Sequence, residues 1–594
     1  MFNAILKTVC ALLLLLVSAK SDAVSEADDG QTEAPVKIRH IFDHRTSMRD
    51  GVELSSDVWL PAEEGQFPVI LLRTPYIKSM PIINFPEWAQ YFVRHGYAFV
   101  VQDVRGRGDS DGEFDFFFQE AHDGFDTIEG IAGQPWSNGK TCMMGVSYWG
   151  TVQWLAAKER PPHLTCLAPT SPAGQYLNEL PLQGGAFMMA WALNWFNDTS
   201  GKISQGPNAA LLDWNSIYNH RPLLTMDEAL GRRMPLYRQM LLNDTMDEYW
   251  QRIQLTERDF RQIDLPVLNI TGWFDGDQTG TLHYWQGMRK YSDAADRQHL
   301  VIGPWTHIQS FMGGSTSVGE VSFAENAVKD IKKLHLDFFD RYLKGSSPEF
   351  DQPTVQLYVT GLNEWKSFEA YPLKEAESKK LYFSSGGAAN SVGGDGVLSW
   401  AKSSTQENDN YVYDPKKPVA LDLSGGMYGV DRQETQKRDD ILVYTSQVLD
   451  EPLDVVGPVL VDLYASSDAR DTDFTATLSV VYPDGRAAVL GPKATGIIRA
   501  RYRHGYEETT LLEPGKIERY TIELGHIAHR FLAGEKIRID ISSSAAPMFN
   551  PNQNTGNPIA TDTEWKIARQ TVYHGDTHPS ALILPVVPGF ESDN

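Results

Sequence analysis

Between residues 38 and 172 the sequence keeps returning to short apolar runs separated by amphipathic stretches, and this alternation restricts the fold more than any other feature. Val69-Ile-Leu-Leu72, Ala98-Phe-Val-Val-Gln102, Cys142-Met-Met-Gly145 and Leu164-Thr-Cys-Leu-Ala168 are the length of strands and lack a polar face. Strands covered on both sides read this way. Residues 86–95, 120–131 and 150–160, lying between them, carry helical spacing. Strands alternating with helices predict a parallel sheet with helices on both faces. The signature returns at 266–270 and 299–302, followed by an amphipathic helix around 328–342.

Two intervals depart from this rhythm. Residues 174–263 are rich in Met, Trp, Leu and Asn, with helix-like segments at 186–196, 223–231 and 236–243 and no strand runs. They read as a helical insertion that splits the α/β unit into 35–173 and 264–348. After Lys344-Gly-Ser-Ser-Pro348, short β-rich runs at 354–359, 459–464, 476–482, 519–522 and 536–541 recur between turn clusters such as Pro483-Asp484-Gly485. Residues 349–590 therefore read as an all-β sandwich or jelly roll. The Gly-rich stretch 386–396 reads as a surface loop. A length of 594 residues suits several cores better than one.

At the start, Lys7 precedes a wholly apolar run at 9–17 and small residues through Ala19 and Ala23. The run is about half of the ~20 residues a spanning helix needs. It reads as a secretory signal peptide over residues 1–23, cut after Ala19 or Ala23, so the expected location is secreted or periplasmic. No later stretch is long and apolar enough to span a bilayer. Cleavage leaves Cys142 and Cys166, both in apolar runs, and buried free thiols are expected there in preference to a bridge. No Cys-x-x-Cys or His-Glu-x-x-His spacing signals zinc, and no metal or other cofactor is expected. His526 and His529 lack a third ligand and read as loop and strand-edge residues. A formal charge of −24 would repel a phosphate backbone, which argues against nucleic acid as a partner.

Two serines compete for the sharp strand-to-helix turn that exposes a nucleophile. Gly108-Asp109-Ser110-Asp111-Gly112 matches Gly-x-Ser-x-Gly literally, but no helical pattern follows it and two aspartates flank it. Ser110 reads as a structural loop residue. Ser147, in Gly145-Val-Ser-Tyr-Trp-Gly150, has a buried strand before it and a good helix former after it. A serine hydroxyl needs a base and an orienting carboxylate, expected at the ends of later strands in the order Ser, Asp, His. Asp275 in Gly272-Trp-Phe-Asp-Gly276 and His307 in Gly303-Pro-Trp-Thr-His307 occupy those ends.

These three motifs, with Arg105-Gly-Arg-Gly-x-Ser110-x-Gly112 and Asp471-Thr-Asp-Phe474 followed by Pro483-Asp-Gly485, resemble the family of cocaine esterase, X-prolyl dipeptidyl-peptidase and α-amino-acid ester hydrolase. The resemblance covers essentially the whole chain after the signal segment. It implies an α/β-hydrolase core, a helical cap and a C-terminal jelly roll. It also implies Ser147 as nucleophile, His307 as base and then acid, Asp275 as the orienting carboxylate, and an oxyanion hole from the Tyr76 hydroxyl and the Tyr148 N–H.

The expected chemistry is then acyl transfer from a small ester, amide or short peptide. Trp149, Phe274, Trp305, Trp191, Phe187 and Trp195 are candidate pocket walls, the cap aromatics reading more readily as core. Asp277 stands where cocaine esterase has an aromatic residue; it reads either as a contact for a substrate amine or as a solvated loop charge. An X-Pro dipeptidyl-peptidase and an α-amino-acid ester hydrolase stay open as alternatives, and so does an inert carbohydrate-binding or adhesive protein built on the β-rich half. A homo-oligomer is also left open.

Overall fold

Residues 37–591 are described by a computed structural model, apart from 81–83, 210, 346–349, 351, 403, 405–406 and 422–426. The expected signal segment lies outside the described residues, as does most of the 344–348 connector.

The apolar runs form the centre of a ten-stranded sheet. In chain order its elements are β1 (Ile38–Ser47), β2 (Glu53–Pro61), β3 (Phe67–Thr74), α1 (Phe85–Arg94), β4 (Ala98–Asp103), α2 (Glu120–Ala132), β5 (Ser137–Val146), α3 (Tyr148–Glu159) and β6 (Leu164–Thr170). The spatial order begins β1-β2-β4-β3-β5-β6. β3 pairs in parallel with both β4 and β5, and β5 with β6, whereas β1 and β2 join antiparallel. Residues 69–72, 98–101 and 142–144 are all buried, which is why a two-sided apolar run marks these strands. The alternating, partly charged β1 and β2 carried no such mark.

After the insertion, β7 (Val267–Phe274), the helix Gln278–Tyr291, β8 (Gln298–Thr306) and the helix Ile331–Phe339 resume the pattern. β7 and β8 are parallel neighbours, as are β6 and β7. The sheet then takes on β9 (Val355–Val359), parallel to β8, and β10 (Glu364–Phe368), antiparallel to β9. This corrects the expectation that 354–359 opens the sandwich. Its hydrogen-bonding partners on both sides, β8 and β10, belong to the first sheet, a matter of pairing that its own composition does not reveal.

The insertion contains the helices α4 (Met189–Thr199) and α5 (Pro235–Leu242), several shorter ones, and a small hairpin, Leu182–Gln183 with Ala186–Phe187, where none was expected. A twelve-stranded, almost wholly antiparallel sheet completes the jelly-roll-type domain. Its core is continuous with the first sheet: Trp273, Phe274, Leu300 and Ile302 share one apolar cluster with Leu381, Val461, Phe474 and Ile539. His526 and His529 lie within the strand Glu518–Phe531, bonded to the Tyr371 hydroxyl and to Thr360, not in a loop.

The cap is tied to this domain by main-chain bonds. Arg499 N–H donates to Gly184 O at 2.9 Å, Asn550 N–H to Phe187 O at 3.0 Å, Ala190 N–H to Pro547 O at 3.1 Å and Met246 N–H to Tyr506 O at 2.7 Å. The Asp471-Thr-Asp-Phe motif supports the same junction. Buried Asp473 accepts two bonds from buried Arg499, Asp471 pairs with Arg501 at 2.8 Å, and Asn552 donates to both aspartates.

Cys142 and Cys166 sit opposite each other on β5 and β6 with Cα atoms 4.7 Å apart, and they are joined in a disulfide. The expectation of two free thiols is corrected. Strand register, which spacing along the chain does not reveal, brings the two sulfurs together.

Candidate active site

β5 ends at Val146, α3 begins at Tyr148, and Ser147 alone makes the turn, with φ 63° and ψ −128°. This conformation is sparsely populated for a residue with a Cβ and costs about 1–3 kcal/mol unless the surroundings enforce it. They do so here. Ser147 N–H donates to Thr170 O on β6 at 3.0 Å, and Ser147 O accepts from Gly150 and Thr151 at 2.8 and 3.0 Å. A Cβ on Gly145, whose φ is 141°, would stand 2.5 Å from the Trp149 Cβ; one on Gly150 would stand 2.8 Å from Thr170 O. The two glycines are thus required by the elbow. The hydroxyl of Ser147 projects at the carboxyl edge of the sheet, with the positive end of a helix behind it. Ser110 is buried; its hydroxyl donates to Asp103 O at 2.6 Å and accepts from Ser55 N–H at 2.8 Å. It closes a loop.

Asp275 follows the last residue of β7 and His307 the last residue of β8. Adjacency of the two strands brings His307 Nδ1 within 2.8 Å of Asp275 Oδ1. A carboxylate only accepts, so Nδ1 carries the proton and Nε2 is left as the basic nitrogen. Asp275 also accepts from Asp277 N–H at 3.0 Å, from the Thr271 hydroxyl at 3.2 Å and from Ser171. Burial alone would raise its pKa, but His307 and these bonds outweigh burial and hold it below the usual carboxylate range.

Ser171 was not foreseen. It follows β6 with φ 47°, and its N–H donates to Ile270 O at 2.8 Å. Its hydroxyl lies 3.0 Å from that of Ser310, which donates to His307 O at 2.6 Å. One side chain thus joins the strand beside the elbow to both Asp275 and the His307 loop. Nothing in Thr170-Ser171-Pro172 signals this.

Asp277 is not a solvated loop charge: it is 8 % exposed, with Oδ2 3.8 Å from His307 Nδ1. Burial first, and then Asp275, raise its pKa to about 7 against the pull of His307. For His307 burial works downward, but Asp275 and Asp277 together overcome it and raise the imidazole to about 9. Behind them, buried Glu179 accepts from the amides of Gly174, Gln175 and Gly280. Burial and the neighbouring Asp277 push its carboxyl well up. The β-rich domain also reaches this corner, where Tyr428 hydrogen-bonds the Gly276 backbone.

Tyr76 stands just past β3, and its hydroxyl bonds Ser147 and accepts from the Trp195 indole N–H at 3.0 Å. Burial pushes its pKa up to about 12, with the two bonds opposing. The Tyr148 side chain turns away from the elbow, its hydroxyl 2.6 Å from Phe116 O and 2.8 Å from Glu120 Oε1. Only its main-chain N–H is left to face a reacting carbonyl.

Most of the expected pocket aromatics are core. Trp149 packs against Phe85 and Phe311, Phe274 against Phe323, and Phe187 against Tyr237, all buried. Trp305 is fully buried, with its N–H on Ala327 O at 2.8 Å. These corrections share a cause. Each of the three core-domain rings flanks a motif residue and points inward to support it. Trp191 and Trp195, stacked on α4 with centroids 5.7 Å apart, are the half-buried exceptions.

Comparisons with known proteins identify the family and the fold. Residues 50–309 match the X-Pro dipeptidyl-peptidase (S15) family, and residues 348–583 match the X-Pro dipeptidyl-peptidase C-terminal non-catalytic domain. The chain is 35% identical over 572 residues to the cocaine esterase of Rhodococcus sp. (strain MB1 Bresler), covering 91% of this chain and 97% of that one. An α-amino acid ester hydrolase structure superposes with a TM-score of 0.81 at 25% identity, over 95% of this chain and all of that one. An aminopeptidase from a marine-sediment Thaumarchaeota archaeon has the same fold, with a TM-score of 0.82 at 24% identity over 96% and 99% of the two chains.

Proposed function

The chain belongs to the family of cocaine esterase, X-Pro dipeptidyl-peptidase and α-amino-acid ester hydrolase, and from that premise we propose that this serine hydrolase cleaves a carboxylic ester or amide through an acyl-enzyme on Ser147. The observation that carries the reading is the 2.8 Å bond from His307 to Asp275 at the ends of two adjacent strands.

In the proposed cycle the Ser147 oxygen attacks the substrate carbonyl while His307 Nε2 takes its proton. Asp275 holds Nδ1–H and stabilises the imidazolium that forms. The Tyr76 hydroxyl and the Tyr148 N–H donate to the oxyanion, each such donor contributing about 3–4 kcal/mol to the barrier difference. His307 then protonates the departing alcohol or amine. Water, deprotonated by the same nitrogen, releases the acid and restores Ser147. Trp191 and Trp195 are the cap residues best placed to wall the acyl site. Labelling by a fluorophosphonate probe tests the reading: wild type reacts and Ser147→Ala does not. A folded wild-type protein that stays unlabelled would overturn it.

A second reading concerns the substrate. Asp277 sets a buried carboxylate beside the catalytic imidazole, and in its ionised form that carboxylate favours an acyl group bearing an ammonium. Rates on an Ala-Pro-anilide against acetyl and benzoyl esters separate it from a plain esterase.

Export is part of the proposal. It rests on Lys7 and the apolar run before Ala19 and Ala23, and the bridged Cys142 and Cys166 suit an oxidising compartment. A mature protein that begins at residue 20 or 24 supports it; an intact N-terminus contradicts it.

A further inference from the structure

The Tyr76 hydroxyl has one proton and two jobs open to it, and its surroundings decide between them. The indole of Trp195 lies 3.0 Å away and can only donate, so at that contact the Tyr76 oxygen is the acceptor. Its own proton therefore points away from the indole, on an oxygen that also contacts the Ser147 hydroxyl. A hydroxyl that already accepts a bond is polarised and donates more strongly.

Trp195 does not come from the sheet. It lies on α4 of the cap and is clamped on several sides. Its ring stacks on Tyr148 at 6.0 Å and 20° and meets Phe116 edge-on at 5.4 Å. The Thr199 hydroxyl donates to Trp195 O at 2.8 Å. Fully buried Arg107 then ties the end of α4 to the Tyr76 loop. Its Nε donates to Pro75 O at 2.6 Å, Nη1 to Thr199 O at 2.8 Å and Nη2 to Asp198 O at 3.2 Å. The Arg105-Gly-Arg-Gly motif thereby fixes the distance between the indole and the phenol.

We propose that Trp195 is a positioning residue for acyl transfer: its indole N–H occupies the Tyr76 oxygen and turns the Tyr76 proton onto the substrate carbonyl oxygen. The oxyanion hole is then assembled from the β3 loop, the elbow and the cap together. This rests on the reading of Tyr76 as an oxyanion donor.

The test is a double-mutant cycle on p-nitrophenyl acetate with Trp195→Phe, Tyr76→Phe and the pair. Tyr76→Phe should lower kcat by about 100-fold or more. Trp195→Phe should lower kcat by about 10-fold with KM within about twofold, as expected for one lost hydrogen bond felt in the transition state. The double variant should be no slower than Tyr76→Phe alone. Replacing Trp195 with benzothienylalanine, which keeps the ring but lacks the N–H, should reproduce the loss without a change in Tm. Trp195→Phe at wild-type kcat, or losses that multiply in the double variant, would overturn the proposal. Tyr76→Phe at wild-type kcat would instead overturn the oxyanion reading beneath it.

Discussion

Asp277 holds a carboxylate oxygen 3.8 Å from the His307 nitrogen that is already bonded to Asp275 at 2.8 Å. Two acids therefore bear on one imidazole, one by a hydrogen bond and one through space. The first orients the ring. In the proposed cycle the second changes when the ring can act as a base, because His307 must lose a proton before it can take one from Ser147.

The pH profile follows directly. With His307 raised to about 9, the acid limb of kcat/KM on a neutral ester should lie alkaline of the ordinary histidine value. Interacting groups titrate together, so its midpoint belongs to the cluster. Asp277→Asn removes a charge that stabilises the imidazolium and should move that midpoint to lower pH. A midpoint unmoved by Asp277→Asn contradicts this account of the site.

Substrate preference gives a second use of the same residue. Asp277→Ala should weaken kcat/KM for substrates with a free α-ammonium by roughly 10- to 100-fold, the scale of a charge-assisted contact. Neutral esters measured at the same pH should change far less. Equal changes on both, in the direction the shifted His307 midpoint dictates, would show that Asp277 acts on the imidazole alone.

The disulfide gives a prediction independent of catalysis. A chain lacking residues 1–23, unfolded without reductant, should show no thiol reactive with Ellman's reagent, and two after reduction. The link closes a loop of 24 residues and stabilises by about 3 kcal/mol on the loop-entropy model. Two reactive thiols before reduction would restore the free-cysteine expectation.

Asp473→Ala should be among the most destabilising single changes outside the catalytic residues. It leaves the guanidinium of Arg499 buried without its carboxylate, a loss of ~3–5 kcal/mol. Because the Arg499 main chain holds Gly184 of the cap, activity should fall together with Tm. A variant with wild-type Tm and activity would contradict this role for the motif.

The parts of the fold legible in the sequence are those where one physical demand sets composition locally. A strand buried on both faces must be apolar throughout, so β3 to β8 announce themselves. The turn at Ser147 needs glycines at 145 and 150, and the strand ends at Asp275 and His307 carry polar residues straight after apolar ones. What stayed hidden depends on partners distant in the chain. Main-chain bonds between the cap and the β-rich domain leave no side-chain pattern. The Cys142–Cys166 bridge follows from sheet register, and the Trp195 contact with Tyr76 spans 119 positions. Trp149 and Trp305 misled for a related reason: a motif position identifies a residue near the site without saying which way its ring points.

The central claim is a covalent intermediate on Ser147, and trapping it is the most direct test. p-Nitrophenyl acetate, mixed with enzyme and quenched in acid within the pre-steady state, should release about one equivalent of nitrophenolate per enzyme in a burst. Mass spectrometry of the digest should place an acetyl group on the peptide carrying Ser147, and Ser147→Ala should show neither burst nor adduct. An adduct at another residue, or undiminished turnover by Ser147→Ala, would contradict the account.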